Sequence, residues 1–230
     1  MAANNQRTAL ALAAVLALAP MTAEATISQA VKFDEKVDRA ASIIVGRLVS
    51  QESNWDTNRQ RILTYSKFRI EKTLKGSPAQ EITIVTPGGT VGDIAQDYVG
   101  VPRFRTGDEN VVFVRNTSLG PTVLYFDQGA YRVDKNDADE RVVTPLVSSA
   151  VLVDMKRGAA VTPEGPRSLR DFEGSVRDSV SRRETNRMRM IEQKKREEAK
   201  LWNQIKRNKT LVVLALLGAL LATWHLVKRT

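Results

Sequence analysis

The sequence predicts a mostly β domain: a small antiparallel barrel with an N-terminal helix, followed by a long C-terminal stalk and a transmembrane helix. Three observations carry this reading. Between Ser42 and Val153, short runs of branched and aromatic residues alternate with turn residues, and no helical pattern intervenes. From Arg167 to Lys209 the chain is polar and basic, with no Gly or Pro after Gly174. Leu211 to Val227 is an apolar run closed by Lys228 and Arg229.

Taken in order, the chain begins with Arg7, an apolar stretch from Thr8 to Ala19, Pro20, and the small-x-small site Ala23-Glu24-Ala25. That three-part pattern is a secretory signal peptide over residues 1–25, with cleavage after Ala25. The exported barrel domain is expected over 26–160. Ile27, Ala30, Phe33 or Val31, Val37 and Ala40 recur at helical spacing, with charged residues between them. Strands are expected at Ile43–Val49, Ile62–Leu74, Ile82–Val85, Val111–Val114, Val123–Phe126, Tyr131–Val133 and within Val142–Val153. In the second of these, Ile62, Thr64, Ser66, Phe68 and Ile70 share one face and Tyr65, Lys67 and Arg69 the other. One face inward and one face wet is what a barrel wall requires.

A linker at 161–166 leads to a basic helical stalk at 167–210. Its apolar stripe of Leu169, Phe172, Val176 and Val180 gives way to Arg183 and Arg187, so a coiled coil is not expected. The 211–227 run would span roughly 25 Å as a helix, close to the ~30 Å of a hydrocarbon core. Residues 228–230 are then a cytoplasmic tail. Trp202, Lys206, Arg207 and Lys209 on one side, with Trp224, Lys228 and Arg229 on the other, are the expected membrane-interface residues. The signal peptide sets the orientation: exported, anchored in the cytoplasmic membrane, domain outside and C-terminus inside.

Charge is divided unevenly. The chain carries 35 Lys and Arg against 26 Asp and Glu, a net +9. Residues 26–166 are balanced at 18 against 18, whereas 167–209 carry 14 against 7. The excess adjoins an apolar span, so the lipid bilayer and its anionic headgroups are the expected counter-charge, and nucleic acid is not. With no cysteine, the domain must stand on its hydrophobic core alone.

Chemistry-bearing motifs are few. The single histidine, His225, lies inside the apolar run, which removes Ser-His-Asp, Cys-His and Cys/His zinc sites from the domain. Asp134, Asn136, Asp137, Asp139 and Glu140 form an acidic group, but an EF-hand register beginning at Asp134 puts Asp139 where glycine is required. Pro87-Gly88-Gly89-Thr90-Val91-Gly92 lacks the Gly-Lys-Ser/Thr ending of a phosphate-binding loop, and its glycines read as positions of positive φ. No catalytic residue, metal ligand or cofactor is expected, and the chain reads as a non-enzyme. The long connection from Gly88 to Arg105 marks a binding loop. Tyr98, Arg103, Phe104 and Arg105, with Trp55 and Asp56 from another loop, are the candidate partner-binding surface. The competing reading is that Trp55 and Phe104 cap the barrel.

Several strings resemble an exported bacterial domain group: Ala41-Ser42-Ile43-Ile44-Val45-Gly46-Arg47-Leu48-Val49-Ser50, then Ser53-Asn54-Trp55-Asp56, then Phe68-Arg69-Ile70-Glu71 and Leu74-Lys75-Gly76. The Pro87–Gly92 element, Pro102-Arg103-Phe104, Gly107-Asp108-Glu109 and Gln128-Gly129 extend the resemblance. Members often sit beside matrixin-like metalloproteases, and their strand pattern is similar to the OB-type barrel of netrin-like modules. The resemblance implies an OB/netrin-like fold and a protein partner in the cell envelope. It does not supply the cysteines with which netrin-like inhibitors address a catalytic zinc. The functional expectation is a membrane-anchored envelope binding or adaptor module. The alternatives are a surface protein whose C-terminal sorting tag is processed, and an accessory or inhibitor of an envelope metalloprotease.

Overall fold

The structure is a computed structural model. It describes residues 27–208, except 59 and 147–150, together with residues 210, 213–215, 217–219, 224 and 228. The signal-peptide reading therefore lies outside the described residues, as does most of the 211–227 run. The chain divides into two compact units, Met1–Leu169 and Arg170–Thr230.

The first unit is built on one large antiparallel sheet. Its central strands are β2 (Ser42–Trp55), β3 (Ile62–Lys75), β4 (Glu81–Pro87) and β7 (Glu109–Thr117), and β9 (Ala130–Lys135), β10 (Arg141–Pro145) and β13 (Arg167–Ser168) complete it in the order β13-β10-β9-β7-β2-β3-β4. The strand β8 (Gly120–Val123) pairs with the second half of β7 through Val114↔Val123. A parallel pair of β1 (Ile27–Gln29) with β11 (Val151–Asp154), extended by β12 (Ala159–Ala160), makes a small second sheet. The expected loop 88–105 contains its own hairpin of β5 (Gly89–Val91) and β6 (Ile94–Gln96).

The barrel expectation is corrected here. The sheet curls until a Cβ built on Gly120 of β8 would lie 3.5 Å from Val85 of β4, yet no ladder joins these two strands. The result is a strongly curled open sheet and not a closed barrel. β2 supplies part of the bend: its register against β3 shifts between Ile43 and Ile44, Val45 and Gly46, and Leu48 and Ser50. Gly46 is needed there, because a Cβ at this position would lie 2.8 Å from the Arg69 carbonyl oxygen.

Inside the curl, Ile44, Leu48, Phe68, Ile84, Phe104, Val112, Val114, Val123 and Ala130 form the core. The alternation in β3 holds, with Thr64, Ser66 and Phe68 buried and Lys67 and Arg69 exposed. In β2, β7 and β9, however, the outer face is buried as well. Ile43 pairs with Phe113, and Val45, Val111 and Tyr131 lie in register beside them, all essentially inaccessible. The cover comes from helix α1 (Phe33–Arg39), whose Phe33 ring meets Phe113 edge-on at 6.1 Å. The helix is shorter than the apolar spacing from Ile27 suggested, because Ile27–Gln29 is drawn into β-pairing with β11. Its C-terminal carbonyls are gathered by Lys75, whose Nζ donates to Val37, Asp38 and Ala40 at 2.5, 3.0 and 2.7 Å.

The second unit contains all but the first residue of helix α2 (Leu169–Arg207). No helix among the described residues is long and apolar enough to cross a membrane. The transmembrane helix, and the membrane-anchored localisation built on it, are therefore not supported. α2 fails as a span because it is almost wholly charged and polar, and its exposed apolar residues, such as Met190-Ile191 and Leu201-Trp202, are separated by charged stretches. Of the expected interface residues, Trp202, Lys206 and Arg207 are exposed on α2, and Lys228 lies 4.1 Å over the Trp224 ring. Lys209 and Arg229 fall outside the described residues.

Candidate functional site

The six expected contact residues are not brought together. Phe104 belongs to the core, 5.1 Å from Phe68 in an edge-to-face contact. Trp55 ends β2, half-buried opposite Ile62. Asp56 closes the β2–β3 hairpin: its Oδ1 accepts the Gln60 amide at 2.9 Å, and its Oδ2 accepts Arg61 Nε at 3.2 Å. That amide, with help from Arg61, holds the Asp56 carboxyl below the ordinary carboxylate range. Tyr98, Arg103 and Arg105 remain exposed, and Arg103 is ion-paired with Asp97. Trp55 and Asp56 thus serve the hairpin, and the expected contact residues left exposed, Tyr98, Arg103 and Arg105, all belong to the 88–105 connection.

That connection is pinned at both ends. The Gly88 amide donates to Ile62 and its carbonyl accepts the Thr64 hydroxyl at 2.6 Å. Gly89, at φ 127°, sits where a Cβ would run into the hydroxyls of Ser53 and Thr64. The Gln96 Oε1 accepts the Ile62 amide at 2.7 Å, and farther on the Gly100 carbonyl accepts the Asp127 amide at 2.8 Å. This last bond joins the connection to a turn that replaces the end of the expected strand Val123–Phe126.

In that turn, Tyr125 and Phe126 both have φ 56°. Two consecutive aromatic residues in the left-handed region carry a strain of about 1–2 kcal/mol each. The surroundings enforce it. A short 3-10 turn at Phe126–Gly129 follows, and a Cβ on Gly129 would collide with the Leu124 carbonyl. The Gln128 side chain fastens the turn to the N-terminal segment, accepting from the Val31 amide and donating to the Gln29 carbonyl, both at 2.9 Å. The Tyr125 hydroxyl donates to Glu35 at 3.2 Å, and desolvation followed by the Glu35 charge raises its pKa. The Phe126 ring is left 57% exposed.

Leu119, 51% exposed, lines the same cleft as Phe126, and Val99 and Tyr98 in the 88–105 connection are exposed by 54 and 42%. Two concavities flank the ridge formed by Val101 and Pro102. One, of about 620 Å³, is polar and lined by Ser53, Thr64, Gln96 and Arg103. The other, of about 350 Å³, lies between β4 and β8 and is lined by Val85, Val123, Leu119 and Phe126 together with Arg61 and Arg115. Phe126 stands at the end of the expected strand Val123–Phe126, and Leu119 in a Leu-Gly-Pro turn, so neither is marked by the sequence as a contact residue. The string Tyr125-Phe126-Asp127-Gln128-Gly129 was the available signal for a turn.

A second polar cluster lies on the outer sheet face. Lys36 Nζ, almost fully buried, donates to Tyr131 Oη at 2.5 Å and to Glu164 Oε1 at 2.8 Å. A cavity of about 80 Å³ adjoins it, walled by Val31, Leu146, Leu152 and Val161. Among the described residues, no group of three or more His, Asp or Glu is placed to hold a metal ion. No protein-family model, curated protein or solved structure matches the chain, and nothing in those comparisons bears on the resemblance to netrin-like domains.

Proposed function

We propose that the folded domain is a recognition or adaptor module that binds a partner protein through the end of its sheet where the 88–105 connection meets the Tyr125–Phe126 turn. The observation that carries this reading is Phe126, which is strained in the backbone and exposed in the side chain. Folding gains nothing from either property. A complex that buries the ring recovers roughly 1.5–3 kcal/mol and accounts for both. Leu119 lines the same cleft as Phe126, and Val99 and Tyr98 of the 88–105 connection are exposed as well, which suits the core of a protein interface.

The test is site-specific photocrosslinking in the cell that makes the protein. A photoreactive amino acid placed at Leu119 or Val99 is expected to give one discrete adduct, and the same residue at Asp137 in the β9–β10 turn none. Equal, diffuse labelling at all three positions would remove the reading.

A further inference from the structure

The charges lining the cleft between β4 and β8 identify the kind of partner. Arg61 and Arg115 are its ionisable cations, and no Asp or Glu lines it. Arg61 is engaged by Asp56. Arg115 is exposed and makes no ion pair among the described residues. The walls between the two arginines are aliphatic and aromatic, from Val85, Val101, Val123 and Phe126. Thr117 and Thr122 add hydroxyls at the β7–β8 end. An apolar cleft with the Arg115 cation at one end and no carboxylate in its lining is complementary to an anion that carries an apolar group.

We propose that this cleft binds an extended acidic segment of a partner protein, seating one apolar side chain against Val85 and Phe126 and a neighbouring carboxylate on Arg115. The inference rests on the recognition reading above and specifies its partner. A peptide fits better than a lipid chain because the lining mixes its apolar walls with the hydroxyls of Thr117, Ser118 and Thr122, which a peptide backbone can hydrogen-bond and an acyl chain cannot. Arginine suits the role, since its planar fork pairs with a carboxylate through two hydrogen bonds.

The full chain, panned against a displayed library of short random peptides, tests this. Selected peptides should be enriched in Asp or Glu beside Leu, Ile, Val or Phe. Their affinity should fall about tenfold in Arg115→Glu and weaken steadily with added salt. Phe126→Gly should also weaken them, and because glycine accepts the backbone at φ 56°, an unchanged thermal melt of the same variant shows that the loss is one of contact and not of folding. Peptides that depend on Phe126 but ignore Arg115 and salt would overturn the acidic partner while leaving the docking surface standing. Indifference to both variants would overturn both. Failure to enrich any peptide, with anionic detergent binding in an Arg115-dependent manner, would transfer the cleft to amphiphilic small molecules and overturn the proposal.

Discussion

Lys36 and Glu164, 128 residues apart in sequence, meet through an Nζ–Oε1 bond of 2.8 Å on the outer face of the sheet. The ammonium also lies 5.1 Å over the Tyr131 ring. The two partners are unequally placed, since the Lys36 side chain is 5% exposed and that of Glu164 36%. Glu164→Gln leaves a buried ammonium without its counter-charge and is expected to cost about 3 kcal/mol. Lys36→Met fills the same space with an apolar chain while Glu164 turns to water, and should cost about 1 kcal/mol. Urea denaturation of the two variants checks the order, and equal losses would refute the asymmetry.

The same cluster makes stability pH-dependent in the alkaline range. Burial pushes Lys36 below its ordinary 10.5, against the pull of Glu164, and pushes the Tyr131 phenol well above its ordinary 10.0. Between the folded pKa of Lys36 and 10.5 the unfolded chain holds more protons, so stability rises with pH there. Past 10.0 the unfolded Tyr131 ionises while the folded one keeps its proton, so stability falls. Denaturation midpoints across the alkaline range should lose the rise in Lys36→Met and the fall in Tyr131→Phe. Unchanged profiles would mean that these groups titrate alike in both states.

Lys75 closes the end of α1 by donating to three carbonyls. Lys75→Met removes all three bonds and the favourable charge at the helix C-terminus, for an expected loss of about 1–3 kcal/mol. Hydrogen exchange of the Ala40 amide, which donates to Lys36 O at 3.1 Å, should accelerate more than exchange in β2. Uniform acceleration would argue against a local role.

Phe126→Gly should leave stability unchanged or raise it by up to about 1 kcal/mol, because relief of left-handed strain offsets the greater chain entropy of glycine. A clear loss in a thermal melt would show that the ring is packed and not presented.

Glu109 gathers Arg47 and Arg141, and both arginines also reach Glu71. Glu109 is the most enclosed of the four, at 12% exposure. Glu109→Gln is expected to cost about 1 kcal/mol at low salt and less as salt rises, whereas Arg69→Gln, at the exposed Glu81, should change little. Melting temperatures at two ionic strengths separate them.

The strand positions and the alternation in β3 were legible because side-chain periodicity and turn chemistry are local. Thr64, Ser66 and Phe68 faced inward as the pattern required. The cleft was not legible. Arg61 comes from the β2–β3 hairpin turn and Arg115 and Val85 from two strands, and nothing in the spacing of any one of them announces a shared wall. Lys36 read as one of several charges between helical positions, and only Glu164 and Tyr131 make it a buried group.

By itself the sequence determined a cysteine-free, charge-neutral, mostly β domain followed by a basic helical tract, since composition, period and breakers act within a few residues. That the sheet curls without closing, the burial of its outer face and the exposure of Phe126 were decided only by the tertiary structure. Those properties depend on which strand edges meet and which segments cover them, and contacts between residues tens of positions apart leave no periodic trace in the chain.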